Sequence, residues 1–232
     1  MDTKQTKVSR RPFLSLFGIG AAALGAGLAA KGSSPAKAAN ADFQPMRHAA
    51  DDWLDAIPGR HRFVVDSSTA NGGGSALLYA NNFFVANKMG YDLDPDALAV
   101  VVVLRHLSTP FAYTNAMWAK YGEILSNEIG FTDPKTGNAP GSNLYDAAGY
   151  GLTLQNFGST ISSVVERGVQ FGVCGMATHY FSAAIAQETG GDADTIYEEL
   201  IANLIPNSHV APAGIIATSR AQEHGYTFLY AG

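Results

Sequence analysis

Residues 97–104 read Ala-Leu-Ala-Val-Val-Val-Val-Leu, with no polar side chain among them. A β-branched run without alternation is the pattern of a strand buried on both faces, as in a parallel sheet. Two other apolar runs have this character: residues 61–66, around Phe63, Val64 and Val65, and residues 169–174, ending at Cys174. A brief strand at 209–210 and a last one at 226–230 bring the number to about five. Between the strands the apolar positions change to helical spacing. Residues 75–89 carry Leu78, Phe83, Val85 and Met89, and Gly90 stops that helix. Ser108 or Thr109 caps a helix that runs to about residue 125, with Pro110 in its first turn. Further helices are predicted at 154–167, closed by Gly168, at 176–187, at 195–204 behind Asp192 or Asp194, and at 212–224, closed by Gly225. Residues 51–57 make a short helical turn before Pro58-Gly59. The segments 67–74 and 126–152 read as loops, and a loop as long as the second usually has a function.

Short apolar strands alternating with helices define an α/β domain. The expected architecture is a mostly parallel sheet of about five strands with helices on both faces, a three-layer sandwich. There is no internal repeat and no heptad pattern.

The N-terminus follows a different pattern. Ser9-Arg10-Arg11-Pro12-Phe13-Leu14 leads into a weakly apolar, glycine-diluted stretch to Ala30, then a Gly/Ser/Pro spacer and Ala36-Lys37-Ala38. Positive region, modest apolar region and small-x-small site are the order of a cleavable export signal. The paired arginines make it a twin-arginine signal. The expected organisation is a signal over 1–38 with cleavage near Ala38 or Ala39, a leader segment over 39–60 and the α/β domain over 61–232. The expected location is periplasmic or otherwise exported, with the twin-arginine machinery as a partner and no membrane association after cleavage.

Charge narrows the function classes. The chain carries a net −5, and residues 39–232 hold nine Lys and Arg against nineteen Asp and Glu. So acidic a domain argues against nucleic acid and anionic membrane surfaces as partners. Cys174 is the single cysteine, which excludes an intramolecular disulfide and Cys-rich zinc sites. No Gly-x-Ser-x-Gly elbow is present. None of the six histidines forms the i, i+4 pair of a zinc protease helix. A metal site assembled from His106, His179 and His209 has no local ligand spacing behind it, so no metal and no cofactor are predicted.

In open α/β sheets ligands sit beyond the C-terminal ends of the strands. Three segments are expected to meet there: 67–74 after the first strand, Arg105-His106 after the second, and Cys174-Gly175 after the third. A thiol at a strand end, just before a helix N-terminus, feels the helix dipole and becomes a better nucleophile. Equally, a lone cysteine is often a small buried core residue. The candidate site is Cys174 as the reacting group, with Asn71, Gly72, Arg105, His106, Gly175 and His179 lining the pocket. His179 follows Cys174 by five residues and turns either toward or away from it. Asn71-Gly72-Gly73-Gly74-Ser75 has the position of a phosphate cradle but neither the dinucleotide spacing nor the P-loop ending.

The strand Gly168-Val169-Gln170-Phe171-Gly172-Val173-Cys174-Gly175 resembles the signature strand of the DsrE/DsrF/TusD-like sulfur-relay family. The closing segment, from Val210-Ala211-Pro212-Ala213-Gly214 through Gln222-Glu223-His224-Gly225-Tyr226-Thr227-Phe228, is similar as well. The likeness runs from the first strand to the end, with 126–152 as an insertion. It implies a Rossmann- or flavodoxin-like α/β sandwich, assembled into trimers or hexamers, and a persulfide carried on the strand-end cysteine, here Cys174. Two functions are therefore expected: an exported protein that binds or relays sulfane sulfur through Cys174, or a non-catalytic oligomeric binding or assembly module whose cysteine is structural.

Overall fold

The computed structural model describes residues 47–232; the expected export signal and the first part of the expected leader lie outside the described residues. Five strands form one all-parallel sheet: β1 (His61–Ser67), β2 (Leu98–Leu104), β3 (Gln170–Cys174), β4 (Ser208–Ala211) and β5 (Thr227–Ala231). Their order across the sheet is β4-β3-β2-β1-β5. All seven residues of β2 are buried, as its unbroken apolar run requires at the centre of a covered sheet.

The crossovers explain the layers. Parallel connections are right-handed, so helices following strands that step in one direction lie on one face. From β1 to β4 the chain steps one way. It deposits α2 (Ala70–Tyr91), α3 (Asn115–Ile129), α4 (Ile161–Val165), α5 (Gly175–Thr189) and α6 (Ala193–Ala202) along this course. The return from β4 to β5 crosses the whole sheet, which puts α7 (Gly214–Glu223) on the opposite face. The β2 side chains divide accordingly. Val100, Val102 and Leu104 join the larger core, with Leu77, Phe84, Leu125 and Phe181. Ala99, Val101 and Val103 join a thinner one, with Ala217 and Ala221 of α7.

The segment 49–57 adds side chains to that second core. The helix α1 (Trp53–Ala56) and the residue after it contribute Leu54 and Ile57. Trp53 stacks on His209 of β4 with ring centroids 4.1 Å apart, and Tyr226 donates a hydrogen bond to the Leu54 carbonyl at 2.8 Å. The domain therefore begins before residue 61, and this part of the leader is a structural layer.

Three predicted elements differ. The helix expected at 75–89 begins at Ala70, capped by Thr69 Oγ1, which accepts the Gly72 N–H at 2.8 Å. It runs through Gly90 to a left-handed Asp92. The glycines that read as a loop are close-approach positions: a Cβ on Gly74 would lie 2.7 Å from the Tyr145 ring, and one on Gly72 2.4 Å from the Ala231 carbonyl oxygen. The helix expected from 108 to 125 is two pieces. A 3-10 run covers His106–Ala112, and α3 starts only at Asn115, because Tyr113 is extended and bridges Leu204. The helix expected at 154–167 shrinks to α4, since Phe157 and Gly158 both take positive φ and interrupt it. Among the described residues no helix is long and apolar enough to cross a membrane.

Candidate functional site

β3 and β4 are followed by helices on opposite faces, so the crevice between their C-terminal ends is a switch point of the sheet. Cys174 ends β3 at this crevice. It is 7% exposed and serves as N-cap of α5, its Sγ accepting the Ala177 N–H at 3.4 Å. Gly175 packs against the turn after β4: a Cβ there would lie 3.0 Å from the Ala211 carbonyl oxygen, and the Met176 N–H donates to Pro212 O at 3.1 Å. That turn leads directly into α7, whose N-cap, Ala213, has no side chain able to cap it. Two helix N-termini thus face one crevice, with the sulfur at one of them.

Arg105 closes the crevice from the β2 side. Its backbone carries the strand end into the 3-10 run, with Ser108 Oγ accepting the Arg105 N–H at 3.0 Å. Its guanidinium grips Asp66 of β1 in a bidentate pair, Nε to Oδ1 and Nη2 to Oδ2, both 2.8 Å. Asp66 is only 3% exposed. The pair raises the Arg105 pKa, first through the hydrogen bonds to Asp66, with smaller contributions from Tyr230 and from Cys174. Gly214 lets the Arg105 stem pass, because a Cβ there would lie 2.3 Å from Arg105 Cβ. Thr218 of α7 holds its hydroxyl between the Gly214 carbonyl at 3.1 Å and Asp66 at 3.4 Å. On the outer side Tyr230 lies under the guanidinium, 6.0 Å from its ring centroid, and shares a 2.6 Å hydrogen bond with Ser68.

Beneath the sulfur, Thr178 Oγ1 donates to the Cys174 carbonyl at 3.0 Å and receives the hydroxyl of fully buried Tyr113 at 3.2 Å. Burial pushes the Tyr113 hydroxyl well above its ordinary range, and Cys174 adds to the shift. This chain fixes the β3–α5 junction from below.

The expected site residues fall into two groups. Cys174, Gly175 and Arg105 come together at the crevice, and His106 is exposed next to Arg105 with a φ of 53°, a strained geometry for a residue with a Cβ. Asn71, Gly72 and His179 are placed otherwise. Gly72 faces the Ala231 backbone and Asn71 is exposed on α2. Thr69 takes the Gly72 N–H and the Gly73 N–H, so these two amides are already engaged. His179 stacks flat on Tyr197 of α6, centroids 3.8 Å apart. Asp66 is the member that sequence reasoning missed. An acid closes one apolar run and a base follows another, but only the structure shows that the two strands are neighbours. Among the described residues no group of three or more His, Cys, Asp or Glu is arranged to hold a metal ion.

No protein-family model matches the chain, and neither does any curated protein sequence. Among solved structures, a protein of unknown function from Methanobacterium thermoautotrophicum is similar over 74% of this chain and 99% of its own. The two share 13% identity and superpose with a TM-score of 0.37.

Proposed function

We propose that the chain is an exported DsrE-like protein that accepts and passes on sulfane sulfur at Cys174. The observation that carries the reading is the position of Sγ: at the sheet's switch point, with a helix N–H directed at the sulfur. Such a site suits a sulfur that must hold negative charge as nucleophile and as leaving group. In the proposed step the Cys174 sulfur attacks the outer sulfur of a donor persulfide, R–S–SH. The donor S–S bond breaks, a new Sγ–S bond forms, and the donor leaves as a thiolate that takes up the proton lost by Cys174. The acceptor step is the same exchange in reverse. No net oxidation occurs and no metal or cofactor is involved. Arg105 is tied to Asp66 throughout, so its role is to shape the wall of the crevice.

The low exposure of Cys174 favours a second reading, a binding or assembly module with a packed cysteine. The family likeness carries an expectation of a trimer or hexamer under either reading. Alkylation separates the two. A relay cysteine reacts with a small alkylating reagent in the native protein; a packed one reacts only on unfolding. Protection of Cys174 in the native state, with rapid labelling in denaturant, would reject the relay.

A further inference from the structure

The long segment after α3 builds a cavity that the sulfur chemistry does not use. We propose that it is a binding site for a small organic cation, an ammonium group on an apolar body.

The cavity holds about 400 Å³, within the range of small-molecule sites. The start of α3, the turn around Asn143 and Asp146, α4, and the Ile205-Pro206 link before β4 line it, and it is half open to solvent. Its walls are fixed by buried hydrogen bonds. Asn143 Nδ2 donates to the carbonyls of Phe111 and Tyr113 at 2.8 and 3.0 Å, and its N–H reaches Asn115 Oδ1 at 2.8 Å. On the opposite side the Ile205 N–H donates to Ala112 O and the Thr114 N–H to Asn203 O. The site is thus formed before any ligand arrives, which lowers the ordering cost of binding.

Its lining selects the ligand class. Tyr113, Ile161, Val165, Ile205 and Pro206 supply an apolar wall for a short aliphatic or aromatic body. The charged side chains that line it are Asp146 and Glu166; no lysine or arginine does. Asp146 Oδ1 accepts the Ser162 N–H at 2.7 Å. Among the described residues nothing donates to its other oxygen or to either oxygen of Glu166. The amide of Asn143 is fully engaged: its Oδ1 accepts the Tyr145 N–H at 3.3 Å. Free carboxylate oxygens beside an apolar wall ask for a positively charged donor and repel an anion.

The test is calorimetric titration of the protein with 2-phenylethylammonium and, separately, with phenylacetate, which has the same ring but the opposite charge. The expected result is saturable binding of the ammonium compound, more than tenfold tighter than of the carboxylate. Glu166→Gln, at an exposed position, weakens the ammonium compound about fivefold. Ala116→Trp, on the exposed first turn of α3 at the cavity rim, abolishes binding while the circular dichroism of the domain is retained. Absence of saturable ammonium binding, equal affinity for the carboxylate, or unchanged affinity in either variant overturns the proposal.

Discussion

Asp66 and Arg105 show how much a single buried charge can demand of its neighbours. Asp66 sits next to last in β1 with a side chain 5% exposed, and the guanidinium supplies two of its hydrogen bonds. Removing the arginine strands a carboxylate where water cannot reach it. Arg105→Met is therefore expected to cost about 3–5 kcal/mol in urea unfolding, and adding Asp66→Asn to recover part of that loss. A recovery of zero would show that the two side chains are not coupled. His209 gives a pH dependence. Burial holds its pKa below the ordinary 6.5. The unfolded chain thus takes up a proton that the folded one resists. Stability is full above 6.5 and is lost as the pH falls from there through the lower folded value. His209→Gln should flatten that slope in unfolding curves measured between about pH 7 and pH 5. At this scale Cys174 and Arg105 were legible in the sequence because both end conspicuous apolar runs. Asp66 was hidden because a charge at a strand end reads as solvent-facing until its partner on the next strand is known.

At the scale of elements, the strands were read closely and several helices were not. β2 and β3 declare themselves by composition. Helix starts depend on what each helix packs against. A glycine triplet is costly in a helix, about 1 kcal/mol per residue against alanine, so propensity alone places residues 67–74 in a loop. The Tyr145 ring overrides propensity by occupying the space a side chain would need. Two substitutions in α2 separate these effects. Gly74→Ala is expected to destabilise by about 1–3 kcal/mol, because its Cβ collides with Tyr145. Gly90→Ala, with open space around it, is expected to stabilise by about 0.5–1 kcal/mol. Chemical denaturation of the two variants checks both signs. The 3-10 run at His106–Ala112 was illegible for a similar reason. Ser108 and Pro110 are ordinary helix-start residues, and only the Tyr113–Leu204 bridge delays α3 to Asn115.

At the scale of the molecule, one topological fact organises the site. The sheet runs in one direction for four strands and then returns, so the helix after β4 lies on the other face and its N-terminus opens onto the same crevice as that of α5. Alternating strands and helices foretold the parallel sheet. They could not foretell which pair of strands forms the switch, because that depends on strand order. The long segment 126–152 shows the same limit. It read as an insertion, and only the folded chain shows it meeting the start of α3 to line a cavity. The central claim, that Cys174 is a working sulfur site, is tested most directly by mass. The protein is incubated with a low-molecular-weight persulfide, freed of donor and weighed intact beside Cys174→Ser. The account predicts one added sulfur atom on the wild type, none on the variant, and its release to a thiol acceptor. A wild-type protein that gains no sulfur, or a variant that gains as much, would contradict it.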